Sequence, residues 1–481
     1  MENYLYVKFP WTLGTLICNV DLRKFFCGGG IMKDYCYKRG LGTLKNENSL
    51  SNFINLSESH IFSPHNIQLH ANCMNQDEVM PLCIDLFCGC GGLSLGLMKA
   101  GFKILFGVEL HPDAFSTYKN NLLEGKIDCH LWPDWLEKRA WDAEDLLKIH
   151  KKELKELRTK VDLLAGGPPC QGFSLNGLRR PDDPRSRMVE IYLNYVKLIR
   201  PRIVLLENVL GFCSMPHKSG GTYSTYVTKK LTGLGYNVSS SILRAADWGV
   251  PQRRPRFVLI AMQKNQALDI NPIDQILSRR NSFLKSHGLG PDYTSARDAL
   301  SDLEEKDTPD LDLEWGHLGF ETLKRSSKIL SPYQELMRRD SPLQPADMRL
   351  ARHNLTSKKR MQDILKNCAL GVALGDDDRK RLGIRKRSIT PLSPSLPAPT
   401  IGTIPDDFIH YSRPRSLTVR EHARLQSFPD WFSFSGPYTT GGSRRKHSCP
   451  KYTQVGNAVP PLLAEAIGNT LIDIIFTNFL N

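Results

Sequence analysis

Short apolar runs that end in a glycine or a carboxylate recur along the chain and set the predicted architecture. The run Leu82 to Phe87 passes into a turn holding Gly89, Gly91 and Gly92, then into an amphipathic segment, Leu93 to Lys99. A second run, Ile104 to Val108, ends at Glu109. Short apolar runs bounded by turn residues read as buried strands, and apolar positions spaced three or four apart between them read as helices. The alternation continues with a strand over Val161 to Ala165, a helix over Met188 to Ile199, a strand over Ile203 to Leu206 ending at Glu207, and a late strand over Phe257 to Ala261. Parallel neighbours need crossover connections, so strands alternating with helices predict an α/β fold on a doubly wound, mainly parallel sheet.

Two regions break this rhythm. Residues 1 to 80 mix glycine-rich, Asn/Ser-rich and scattered aromatic stretches without sustained periodicity and are expected to be a poorly ordered extension, accessory or an over-extended reading frame. Between about 265 and 412 the sequence turns basic, with Pro and Ser interspersed, as in Lys358 to Arg360 and Arg379 to Arg387. The expected organisation is therefore a main domain over 81–264, a smaller irregular lobe over 265–440, and a return to the main domain over 441–481, where Tyr452 to Ile475 reads as a turn and an apolar helix.

Composition narrows the function classes. The 481 residues are 41% hydrophobic and 24% charged, which suits a packed protein; 64 Lys and Arg against 50 Asp and Glu give a net charge of +14 and favour a polyanionic partner. No apolar run reaches the roughly 18 residues of a membrane span, so a cytoplasmic protein without membrane contact is expected. The twelve cysteines do not form a regular paired framework and are expected as free thiols. Cys18, Cys27 and Cys36 lack the close pairing of zinc ligands, and no metal is expected.

Open parallel sheets bind ligands beyond the carboxyl ends of their strands, where glycines let backbone approach and helix N-termini supply donors. Phe87, Gly89, Gly91 and Gly92 stand at such an end, and Glu109 closes the next strand where a carboxylate can hold ribose hydroxyls. A ribose-bearing cofactor is expected, a dinucleotide or another. Gly166-Gly-Pro168-Pro169-Cys170 follows a strand at the same edge; its prolines fix φ and its glycines permit close approach, presenting Cys170 as a rigid thiol. Such a thiol is an inert small hydrophobe or, once activated, a nucleophile. Glu207 ends a neighbouring strand and, with its pKa raised by burial, can protonate a ring nitrogen. Gln252, Arg254 and Arg256 alternate along an extended segment and are expected on one face, where an arginine can steady a carboxylate, a carbonyl or a phosphate.

Taken in order, DLFCGCGGLSLGL from Asp85, GGPPCQGFS from Gly166, ENV from Glu207, the Gln252-x-Arg254-x-Arg256 set, RSLTVREHARLQSFP from Arg415 and QVGNAVPP from Gln454 resemble the motif series of DNA cytosine-C5 methyltransferases. The likeness spans residues 81 to 475. It implies a Rossmann-like fold that uses S-adenosyl-L-methionine, with the basic stretch as a target-recognition lobe. Phe87 would lie against the adenine, Gly89, Gly91 and Gly92 along the methionine end, Glu109 on the ribose, and Pro168, Asn457 and Val459 around the pocket. Asp142, or Asp145 as the alternative, would contact the adenine amino group. Cys170 would add to carbon 6 of a flipped-out cytosine, Glu207 would bond N3 and the amino group, Arg256 would support Glu207 and the base carbonyl, and Arg254 would lie near the ring. Gln171, Ser174, Arg179, Arg180 and Gln252 are the expected contacts to double-stranded DNA. The resemblance further implies a monomer without an obligate protein partner, in a restriction-modification pair or as an orphan enzyme. A transfer-RNA methyltransferase and an inactive DNA-binding relative are the rival readings.

Overall fold

Six strands build the sheet that carries the site in the computed structural model: β1 Leu82–Leu86, β2 Lys103–Val108, β3 Leu163–Gly166, β4 Ile203–Asn208, β5 Tyr236–Arg244 and β6 Pro255–Gln263. The described residues are 80–125, 129–169, 187–264, 270–304, 309–312, 314, 316–439 and 448–479, with the backbone of two short strands near the N-terminus. The sheet order is β2-β1-β3-β4-β6-β5. β1 to β4 run parallel, and β6 lies antiparallel between β4 and β5. A single parallel bridge from Ile104 to His130 extends the pairing beyond β2. The chain moves from β1 to β2 on one side and later to β3 on the other, so the carboxyl ends of β1 and β3 border the crevice where such sheets take ligands.

β5 is the strand missing from the sequence pattern. Its centre, Asn237 to Ser241, holds three consecutive serines and a single apolar residue, and it lies at the sheet edge, half exposed, so no apolar run marks it. β3, by contrast, is buried along its whole length.

Helices pack on both sides: α1 Gly92–Ala100, α2 Arg187–Ile199, α3 Tyr223–Gly233, α4 Val419–Leu425, α5 Lys451–Asn457 and α6 Pro461–Phe479. α1 is stopped by Gly101, at φ 112°, whose backbone N–H returns to Leu97 and Met98. α5 and α6 are separate because Pro460 and Pro461 cannot continue the helical ladder. α6 lies along α1 at close range: a Cβ on Gly96 would overlap Ala464, and one on Gly468 would come within 2.6 Å of Ala100.

The segment expected as a separate lobe shares the main core over much of its length, including Ile273, Ile276, Phe283, Leu300, Tyr333 and Met337, and again from Leu417 to Phe434. Among the described residues a small second cluster, Ile364, Leu374, Ile384 and Ile409, stands apart from it and includes the buried Ile364 of the helix Leu355–Asn367. Apolar residues spaced through a basic sequence are enough to anchor it to the sheet domain, and charge density alone hides them.

The chain divides into two units, Met1–Ala71 and Asn72–Asn481. In the first, Tyr4–Lys8 and Thr15–Asn19 pair antiparallel with Tyr4 opposite Asn19. These strands are too short for alternation to stand out in the sequence.

Candidate active site

The turn after β1 is built from left-handed residues. Phe87 has φ 60°, which a side-chain-bearing residue rarely adopts, followed by Gly89 at 57° and Gly91 at 98°. The glycines differ in purpose. A Cβ on Gly91 would come within 2.6 Å of Leu122, and one on Gly92 would strike the Val459 carbonyl, so both allow close packing. A Cβ on Gly89 would meet nothing within 4 Å: open space lies beside that backbone.

Glu109, at the end of β2, ties the turn down. Its Oε2 accepts from the Gly89 N–H at 3.1 Å and its Oε1 from the His111 N–H at 2.7 Å. Burial raises its pKa against these backbone donors. The Trp141 N–H donates to the Glu109 carbonyl at 2.8 Å, which brings Asp142 to the same edge. Asp142 Oδ1 caps the helix Ala143–Ile149 by accepting from Glu144 and Asp145, whereas Asp145 is exposed on that helix beside Lys148. Beneath the turn, Asp85 is fully buried. Its Oδ2 accepts from Ser94 Oγ at 2.6 Å while Oδ1 has no partner, and burial pushes its pKa up to about 7. Only its place before the glycine turn marks Asp85 in the sequence.

Glu207 occupies the end of β4. Its Oε1 pairs with Arg256 Nε at 2.8 Å, and burial raises its pKa although Arg256 and Arg254 oppose the rise. A Cβ on Gly167 would lie 3.2 Å from Glu207 Oε2, so the backbone leading to Cys170 runs beside this carboxylate. Asn208 fixes the same segment by donating to the Pro168 carbonyl at 3.1 Å. Cys170 itself, with Gln171, Ser174, Arg179 and Arg180, lies outside the described residues.

One expectation about the segment entering β6 needs correction. Gln252 does not face DNA: it is fully buried and its amide is consumed internally. Its Nε2 donates to Leu425 O at 3.0 Å and Gln426 Oε1 at 2.9 Å, and its Oε1 accepts from Ile401 N at 2.9 Å and Arg254 at 3.4 Å. The two arginines, expected on one face with Gln252, take different partners. Arg254 turns its Nη atoms to the carbonyls of Ile401, Gly456 and Ala458 at 3.2, 2.7 and 3.0 Å, while Arg256 alone reaches Glu207.

The Arg415 to Pro429 segment, charged enough to read as surface, is buried almost throughout. Arg424 places all its N–H groups: Nε on Asp430 at 2.5 Å, Nη1 on Ala299 O and Asp302 at 2.8 and 3.2 Å, Nη2 on Asp302 and Asp430 at 3.1 and 2.7 Å. Arg415 clasps Glu421 with two bonds of 2.8 Å. Burial opposes ionisation of Glu421, yet Arg415 and the Thr418 N–H hold its pKa at about 2. Val459 packs over the α1 N-terminus, and Asn457 is exposed at the end of α5.

Comparison with known proteins joins these features. The model of the C-5 cytosine-specific DNA methylase family matches residues 82–473. The chain is 32% identical over 398 residues to the Type II methyltransferase M.DdeI of Desulfomicrobium norvegicum, covering 81% of this chain and 88% of the relative. It is 31% identical over 392 residues to the Type II methyltransferase M1.HphI of Haemophilus parahaemolyticus, covering 81% and 86%. Among solved structures, one described as a candidate DNA modification methyltransferase encoded within an E. coli prophage superposes with a TM-score of 0.54 at 26% identity, covering 82% of this chain and 99% of that one.

Proposed function

The chain belongs to the C-5 cytosine-specific DNA methylase family and is a DNA (cytosine-5)-methyltransferase; from that premise we propose that its methyl donor is S-adenosylmethionine and that it works through a covalent Cys170 adduct. The observation that carries the reading is the Glu207–Arg256 pair beside Gly167, at the sheet edge that also holds the glycine turn. The residues present fit the donor. Open space flanks Gly89, Glu109 already holds that turn from below, and Asp142 stands one backbone bond away. S-adenosylmethionine bound there supplies an electrophilic sulfonium methyl group.

Carbon 5 of cytosine is too weak a nucleophile to take a methyl group unaided. Cys170 adds as thiolate to carbon 6, and Glu207, with its pKa raised by burial, hydrogen-bonds N3 and the amino group so that the electron pair gathers at carbon 5. Arg256 keeps the carboxyl oriented. After carbon 5 has accepted the methyl, loss of its proton and expulsion of Cys170 restore the ring. A base stacked in a duplex hides carbon 6, so the target must be flipped out, at a cost of a few kcal/mol. Arg254, whose Nη atoms lie on main-chain carbonyls, acts as a positioning residue.

Residues within 265–440 serve as the recognition lobe. The stretch from Arg349 to Arg387 holds twelve lysines and arginines against four aspartates, and Asp363, Asp376 and Asp378 are already paired with Arg381 or Arg379. That leaves an exposed basic surface suited to phosphates. As its named relatives are Type II methyltransferases, the protein serves as the modification partner of a restriction enzyme or as an orphan.

Labelled S-adenosylmethionine, duplex DNA and the Cys170→Ser protein test the mechanism. No label should reach DNA, while S-adenosylhomocysteine binding stays at the wild-type level; normal turnover by the variant would overturn the covalent route. Label entering transfer RNA in place of DNA would overturn the substrate.

A further inference from the structure

Gln426 stands at the end of α4, fully buried, inside a motif whose arginines and glutamate are absorbed by ion pairs. Its Oε1 accepts from Gln252, and its Nε2 donates to Val455 O at 2.8 Å and Ala458 O at 3.3 Å. Gln252 carries the link onward through Ile401 N and Arg254, and Arg254 returns to the carbonyls of Gly456 and Ala458. The buried amide pair, together with Arg254, therefore ties two parts of the site to each other. On one side is the 455–459 turn, whose Val459 carbonyl abuts Gly92 of the glycine turn. On the other is the entry to β6, from which Arg256 reaches Glu207. The joint has little slack, since even a Cβ on Gly456 would collide with the Gly402 carbonyl. Both donors of each amide are engaged, so neither can rotate to compensate for the loss of the other.

We propose that Gln426 is a positioning residue of methyl transfer: through Gln252 and Arg254 it sets the donor-side 455–459 turn and the Glu207–Arg256 pair in one fixed geometry. This rests on the function proposed above. Its signature is a change in donor KM and kcat together with DNA affinity retained, because Gln426 is fully buried.

Gln426→Met keeps the volume and removes the hydrogen bonds; Gln426→Glu keeps the acceptor and turns an oxygen toward the Val455 and Ala458 carbonyls. In the full-length enzyme, each should raise KM for S-adenosylmethionine and lower kcat, by roughly tenfold apiece for a buried amide left unpaired, with DNA affinity within about twofold of wild type. A lower melting temperature with unchanged kcat and donor KM would reduce Gln426 to a structural role and overturn the proposal. Hydrogen exchange on the wild-type protein needs no variant to fold. Saturating S-adenosylhomocysteine should slow exchange at 455–459 and at 252–256 together, and protection confined to 455–459 would overturn the link. Absence of DNA methylation by the wild type would instead remove the functional reading itself.

Discussion

Carboxylates occupy both the strand-end pocket and the buried hub around α4, and they lie at opposite ends of the titration scale. In the pocket, burial raises Asp85, Glu109 and Glu207, and no arginine or backbone donor brings them fully back. In the hub, burial acts in the same direction, but Arg415 overcomes it at Glu421 and Arg424 overcomes it at Asp430. The difference lies in spare bonding capacity. Asp85 keeps one unpartnered oxygen beneath the turn, and Glu207 pairs with Arg256 through Oε1 while its Oε2 faces Gly167, so these carboxyls keep bonding capacity that the hub does not. Arg424 has no N–H left to offer. Buried charge that is fully matched builds architecture, whereas buried charge left partly unmatched does chemistry.

Exchanging one carboxylate from each region is the strongest way to break this contrast. Glu207→Gln retains shape and hydrogen bonding to Arg256 but cannot carry the exchangeable carboxyl proton. Its methylation rate should fall by roughly 10²- to 10⁴-fold, the range for loss of a positioned acid, with the melting temperature nearly unchanged. Retained turnover would place the proton elsewhere. Asp430→Ala should do the reverse, because Arg424 would stay buried with half its partners gone. A loss of about 3–5 kcal/mol of stability is expected by denaturant unfolding, with kcat close to wild type in whatever fraction remains folded. Intact stability in that variant would mean that the hub is less tightly matched than its geometry indicates.

The same contrast explains how much of the molecule was legible from sequence. Strand ends carrying Glu109 and Glu207 stood out because an apolar run stops abruptly at a carboxylate, which is a local signal. The hub gave no such signal. Arg420 and Arg424 carry the marks of ordinary exposed helix positions, and their partners Asp347 and Asp302 lie more than 70 residues away in the chain. Gln252 was misread for the same reason, since Gln426 lies 174 positions along the chain. Local pattern reports what a residue is beside, while burial of a polar side chain depends on a partner that only the fold delivers. β5 and the N-terminal hairpin escaped because edge strands that are short or serine-rich have little apolar contrast to display.

The finest test of the contrast is in the pH dependence of stability. Glu421 has its folded pKa depressed to about 2 from 4.5, so the stability it contributes is complete above about pH 4.5 and is lost as the pH falls toward 2. Asp85 has the opposite sign. Its folded pKa of about 7 exceeds 3.8, so the folded state holds a proton that the unfolded state has released, and stability declines as the pH rises from about 4 to 7. Asp85→Asn keeps an oxygen for Ser94 and removes the titration. In donor-free protein, urea unfolding across pH 3 to 8 should show this decline flattened in the variant and the acid limb unchanged. A decline of the same steepness in both proteins would mean that Asp85 ionises freely beneath the turn, and the pocket would then owe its character to Glu109 and Glu207 alone.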